Sequence, residues 1–125
     1  MPHNAGMKIV LEIHLVVAFL LVLCALIFSW NVSGRRVVNA VAVLQFLVGL
    51  AVAGMMGAAH MMLPPPVWIH IILALAIMAC YGMAMRFGKR AGSSNLAVVF
   101  SVLGLLLVLA NVYLGWHMAG GVSQL

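Results

Sequence analysis

Four long apolar stretches constrain this chain more than any other feature. They cover roughly residues 9–30, 37–62, 67–86 and 95–118 of the 125. A bilayer core about 30 Å thick is crossed by about 20 apolar residues of helix, so each stretch is long enough to span a membrane. A helix also satisfies its own backbone hydrogen bonds, as lipid requires. The sequence therefore predicts a single integral membrane domain over residues 1–125, folded as an all-α bundle of four transmembrane helices.

The composition excludes several other classes of protein. Only 6% of the residues are Asp, Glu, Lys or Arg, whereas a soluble domain carries about 25%. The six Lys and Arg residues are too few and too dispersed to follow a phosphate backbone, so we expect no nucleic-acid partner. Glu12 is the only acid in the chain. That excludes catalysis by paired carboxylates and any carboxylate-rich calcium or magnesium site built by this chain alone.

Turn-forming and basic residues separate the apolar stretches. Three consecutive prolines at 64–66 cannot lie inside a helix, so they end the second helix and begin the third. Positive charges gather in the first and third loops, and Lys8 alone lies on the other side; the loop charges are Arg35, Arg36, Arg86, Lys89 and Arg90. Since short basic loops stay in the cytoplasm, we expect an up-down-up-down bundle with both termini and the triproline loop external. We expect it in a bacterial inner (plasma) membrane.

Four of the five histidines fall at one end of this predicted bundle. Each helix carries one, near the start of the first and third helices and near the end of the second and fourth: His14, His60, His70 and His117. Ionisable residues within membrane helices are costly and usually face the interior, which makes them candidates for function. We predict that these four residues bind a cofactor or a metal near the external face.

Small residues accompany the histidines at helical spacing. Ala53 and Gly57 precede His60, and Ala74 follows His70 by one turn. A flat macrocycle needs such space, because an imidazole must reach the metal while the neighbouring backbone stays clear of the ring. The same residues also allow membrane helices to pack closely with no cofactor present. We include Ala53, Gly57 and Ala74 among the candidate cofactor-binding residues.

The layout resembles the membrane four-helix haem proteins, and most specifically a half-sized haem A synthase or a copper-resistance-D-like unit. In the synthase fold, each four-helix half carries haem-ligating histidines on its second and fourth helices near the external surface. The positions that match here are His60, in Gly57-Ala58-Ala59-His60, and His117, in Gly115-Trp116-His117. The Glu-to-His-Arg motif of the synthase is not present, so the resemblance does not imply haem modification. A second, weaker likeness is to small four-span oxidase-assembly proteins with histidines around the loop between the second and third helices.

These patterns predict a b-type cytochrome subunit. Two axial imidazoles fill the coordination sphere of haem iron, which favours electron transfer over catalysis. We expect one haem b rather than two, with His60 and His117 as the first pair of ligands and His14 and His70 as the second. The expected partners are lipid and other integral membrane subunits of a redox complex. Two alternatives stay open: a cofactor-free accessory subunit of a respiratory or photosynthetic complex, and a copper or zinc site formed by the histidines.

Overall fold

The computed structural model of this protein is all-helical in the part of the chain that it describes. That part comprises the backbone of residues 2–58, 62–90, 92 and 94–123 and the side chains within 5–58, 62–90, 92 and 94–118. The helices are α1 (Pro2–Phe28), α2 (Val32–Ala58), α3 (Pro65–Gly88) and α4 (Ser94–Ser123). All four are long and apolar enough to cross a membrane. The predicted fold class, an all-α bundle of four membrane-spanning helices, is therefore confirmed.

Each helix packs against two neighbours, in the order α1, α2, α3, α4 and back to α1. The core between them is apolar and is formed by Leu21, Cys24, Ala25, Val38, Ala42, Ile77, Tyr81 and Val108. The outer surface is also apolar, since large side chains such as Leu23, Leu47, Ile72 and Leu106 are exposed on all four helices. A surface of this kind fits an integral membrane protein, whose outside contacts lipid rather than water.

The turns follow the chemistry that the sequence predicts. Asn31 lies before α2, and its side-chain oxygen accepts a hydrogen bond from the backbone N–H of Gly34 at 2.6 Å. A β-carbon at Gly34 would overlap the carbonyl oxygen of Phe28, so only glycine fits this tight turn. Pro64 is extended and α3 starts at Pro65, where a missing N–H is harmless because the first N–H groups of a helix have no partner within it. The triproline segment begins the third helix, as predicted.

A buried arginine joins all four helices beyond the apolar core. Arg35, in the first turn of α2, is 5% exposed. Its Nε–H is shared between the carbonyl oxygen of Ser29, just after α1, and the hydroxyl of Ser101 on α4, at 2.9 Å from each. The Ser29 hydroxyl is in turn hydrogen-bonded to the Tyr81 hydroxyl of α3 at 2.8 Å. A β-carbon at Gly88 would lie 3.0 Å from Nη1 of the arginine. We call Ser29, Arg35, Tyr81 and Ser101 the arginine network.

We predict that Arg35→Met lowers the thermal stability of the purified protein, because it leaves the buried Ser101 hydroxyl and Ser29 carbonyl without their donor. An unsatisfied buried polar group costs about 1–3 kcal/mol. Arg36→Met is the matched control, since it removes the same charge from the neighbouring position, which is exposed. Thermal unfolding in detergent measures both variants. Equal melting temperatures for the two would contradict the structural role of Arg35.

Candidate functional site

Two of the predicted histidines meet inside the bundle. His14 on α1 and His70 on α3 have ring centroids 6.0 Å apart, and the ring planes are inclined at 86°. Because α1 and α3 are not neighbours in the helix order, the two imidazoles approach across the diagonal of the bundle. This arrangement places two potential metal ligands close together in an apolar interior, with their ring planes nearly perpendicular. We call His14 and His70 the histidine pair.

Each imidazole lies against a glycine of the next helix along the chain. A β-carbon at Gly49 on α2 would lie 3.0 Å from Cε1 of His14, and one at Gly115 on α4 would lie 3.0 Å from Cε1 of His70. Contacts this short force a neighbour to move by a few tenths of an ångström. The missing side chains at Gly49 and Gly115 are thus what allows the rings to occupy the interior.

An amide side chain accompanies each histidine. Gln45 lies one helical turn before Gly49, and its Nε2 donates a hydrogen bond to the backbone carbonyl of His14 at 2.8 Å. Asn111 lies one turn before Gly115, is buried, and neighbours His70. Among the described residues that line the cavity, these two amides and the indole of Trp116 are the other side chains that carry a nitrogen or oxygen atom.

Several polar atoms at this site are buried without a hydrogen-bond partner among the described residues. They include Nδ1 of both histidines, Oε1 of Gln45 and Oδ1 of Asn111. Buried polar atoms are normally hydrogen-bonded, and each exception in a native protein calls for an explanation such as a ligand or a functional role. The unsatisfied nitrogens and oxygens make this site a candidate for binding a ligand.

A cavity of about 140 Å³ surrounds the histidine pair. Its walls are mainly apolar, and several are small, including Ala18, Gly49, Ala53 and Ala74. A water molecule needs about 10–15 Å³ of such space, so the cavity exceeds what one or two waters would fill. Two of the three small residues that the sequence nominated, Ala53 and Ala74, line this cavity. The structure places Gly57 on the exposed side of α2, with nothing within 4 Å of an added β-carbon.

His117, another nominated histidine, is not brought to this pair. His117 is exposed, and its ring stacks on that of Tyr113, with centroids 6.4 Å apart and planes inclined at 13°. His60 lies outside the described residues. The pairing of His60 with His117 as haem ligands stays a prediction. Within residues 5–58, 62–90, 92 and 94–118, no group of three or more His, Cys, Asp or Glu side chains is placed to hold a metal ion.

Sequence reasoning missed the part that glycines and amides play beside the histidines. Gly49, Gln45 and Asn111 are not among the candidate residues that the sequence nominates. A usable signal was present, because an amide followed four residues later by glycine occurs both at Gln45 and Gly49 and at Asn111 and Gly115. Residues four apart share a helix face, so each pair meets the same histidine.

Comparisons with protein-family models, with curated proteins and with solved structures found no match for this chain.

We predict that Gly49→Ala moves the His14 ring, because the new β-carbon would contact Cε1 at 3.0 Å. Gly115→Ala should move His70 in the same way. The histidine ring resonances in NMR spectra of the ¹⁵N-labelled, detergent-solubilised protein report the change. Gly54→Ala and Gly82→Ala are matched controls, since an added β-carbon meets nothing within 4 Å at either position, while both raise helix propensity equally. Equal shifts of the His14 and His70 resonances in all four variants would contradict the packing described here.

Proposed function

We propose that this chain is a membrane b-type cytochrome subunit in which His14 and His70 hold one haem b as axial ligands. The observation that carries the proposal is the meeting of two imidazoles across the bundle, 6.0 Å apart between ring centroids. An imidazole nitrogen bonds a first-row metal such as zinc at about 2.0–2.1 Å and lies about 1 Å from its own ring centre, so two imidazoles on one metal have centres about 6 Å apart. The observed spacing agrees with that value.

The number of protein ligands favours haem over a single copper or zinc ion. A structural zinc ion takes four protein ligands and a catalytic one takes three. Haem supplies four nitrogen ligands of its own, so two histidines complete the coordination of its iron. Among the described residues, the histidine pair has no third His, Cys, Asp or Glu side chain beside it. Two imidazoles alone therefore suit a haem better than a bare ion.

The walls around the histidine pair suit an apolar macrocycle. Ala18, Ala53 and Ala74 leave room beside the rings, and apolar groups form most of the lining. A haem is larger than the 140 Å³ cavity, so its binding requires the surrounding helices to separate. Small side chains on the walls reduce the separation that is needed.

The proposed role is electron transfer rather than bond chemistry. A bound haem supplies a one-electron iron couple, and two axial imidazoles leave no coordination position open for oxygen or a substrate. Large apolar side chains are exposed on all four helices, so we propose that electrons come from and go to other integral membrane subunits of a redox complex. The exposed aromatic side chains at one end of α4, Tyr113 and Trp116, fit either an interfacial lipid region or such a partner.

We further propose that the chain lies in a bacterial inner membrane in an up-down-up-down topology with both termini external. The basic residues of the first and third loops support this orientation through the positive-inside rule. Contacts between α1 and α2 support the up-down arrangement of these two helices, since Gly6 near the start of α1 lies beside Met55 near the end of α2, and His14 lies beside Gly49. In that orientation the histidine pair lies on the external side of the arginine network.

Replacement of the ligands tests the proposal. We expect the wild-type protein to show the split α band and β band of bis-histidine haem on reduction with dithionite. His14→Ala and His70→Ala should each abolish haem retention or convert the low-spin spectrum to high spin, since losing an imidazole opens a coordination position. His117→Ala, at an exposed position, should keep the wild-type spectrum. Loss of haem in His60→Ala and His117→Ala, with retention in the other two variants, would instead support the pair first predicted from sequence.

A second set of variants distinguishes a bound haem from a single copper or zinc ion and leaves every histidine in place. Ala53→Leu and Ala74→Leu add volume to the cavity wall, and overpacking a filled interior costs about 1–3 kcal/mol, so both should lower haem content. Ala51→Leu and Ala79→Leu add the same volume at exposed positions of the same helices and should not. Copper or zinc retained at wild-type levels in all four would favour an ion. A colourless, metal-free wild-type protein would favour the accessory subunit.

A further inference from the structure

The same arrangement of a histidine, a glycine and an amide occurs twice at this site, once between α1 and α2 and once between α3 and α4. In one half, His14 of α1 lies on Gly49 of α2, and Gln45 lies one turn before that glycine. In the other, His70 of α3 lies on Gly115 of α4, and Asn111 lies one turn before it. The distances from an added β-carbon to Cε1, Nε2 and Nδ1 are 3.0, 3.6 and 3.7 Å at Gly49 and 3.0, 3.5 and 3.7 Å at Gly115. Each helical pair thus presents its imidazole in nearly the same orientation relative to its glycine.

The unsatisfied atoms occur in matching sets in the two halves. Each histidine has a buried Nδ1 without a partner, and the amide beside it has a buried oxygen without a partner. The orientation of the Gln45 amide is determined, because its nitrogen already donates to the backbone carbonyl of His14. Its oxygen, Oε1, is therefore free to accept a hydrogen bond. In each half, a ring nitrogen that can donate therefore lies near an amide side chain whose oxygen can accept, and the two atoms are not hydrogen-bonded to each other in this structure.

Coordination chemistry gives these sets a function. A neutral imidazole carries one N–H, and the nitrogen that binds a metal must be the other one. A histidine that ligates a metal almost always donates this N–H to a carboxylate, a carbonyl or water, which fixes its tautomer and its orientation. The only acid in the chain, Glu12, is two residues from His14 and exposed, about 200° away around α1. Among the described residues that line the cavity, the amide oxygens of Gln45 and Asn111 are the side-chain oxygen acceptors.

We propose that Gln45 and Asn111 are positioning residues that accept the Nδ1–H groups of His14 and His70 when the haem is bound, so that Nε2 of each ring is the atom presented to the iron. This inference rests on the proposed function. Such a hydrogen bond makes the imidazole a stronger electron donor to iron, which stabilises the ferric state and lowers the reduction potential. The two neutral amides set the potential of the haem without placing a negative charge in the membrane interior.

The test is the midpoint potential of the haem in matched variants of the full chain. Gln45→Leu and Asn111→Leu remove the acceptor and should raise the midpoint potential while the low-spin spectrum is retained. Gln45→Glu keeps an acceptor of the same length and makes it stronger, so it should shift the potential downward. Asn39→Leu is the control, because Asn39 also has a buried, unsatisfied amide oxygen on α2 but does not line the cavity. It should leave the potential unchanged.

The outcomes separate this inference from the proposed function. Haem that is retained with the wild-type potential in Gln45→Leu, Asn111→Leu and Gln45→Glu overturns the positioning role and leaves the cytochrome assignment standing. A wild-type protein that holds no haem overturns both. If a leucine variant does not fold, the midpoint potential of Gln45→Glu decides whether the positioning role holds: a downward shift supports it, and a wild-type potential overturns it. A second readout is the ¹⁵N NMR spectrum of the reduced, haem-loaded protein: we expect the Nδ1–H groups of both histidines to be hydrogen-bonded in the wild type and to lose that bond in the leucine variants.

Discussion

Room for two imidazoles in an apolar interior is the constraint on which the rest of this structure depends. A histidine in lipid is costly to bury unless its polar atoms find partners, and in this bundle both rings also need physical space. The absent side chains at Gly49 and Gly115 provide that space, because β-carbons there would lie 3.0 Å from the rings. Small residues on the remaining walls, including Ala53 and Ala74, keep the cavity open. The position of each helix beside the histidine pair follows from these contacts.

The bundle divides into two polar layers with an apolar core between them. On one side lies the histidine pair with its two amides, and on the other lies the arginine network, in which Arg35 is held by Ser29 and Ser101. The core residues that separate them include Leu21, Val38, Ile77 and Val108. A buried arginine that bonds to neutral oxygens of other helices fixes the relative positions of the helix ends. The layer of histidines can then be loosely packed and still be held in place.

The fold could be predicted from the sequence, since the length and apolarity of four stretches determine membrane helices and the prolines at 64–66 determine where α3 starts. The depth of each histidine in its helix was also available by counting residues. The rotation of each helix about its own axis, which decides the side chains that face inward, could not be obtained in this way. His117 is two residues from Gly115, which is about 200° around the helix, so a helix that turns Gly115 toward His70 turns His117 outward. Only the contacts between helices reveal which of the two faces inward, and they bring His14 and His70 together.

The electron paramagnetic resonance spectrum of the oxidised protein tests the central claim most directly, because it reports both the identity of the axial ligands and the angle between their planes. The rings of His14 and His70 are inclined at 86°, so a haem held between them should give the highly anisotropic low-spin ferric signal of nearly perpendicular imidazoles. That signal should be lost in both His14→Ala and His70→Ala. A rhombic low-spin spectrum typical of parallel imidazoles, a signal that survives either substitution, or the absence of any haem signal would contradict the account.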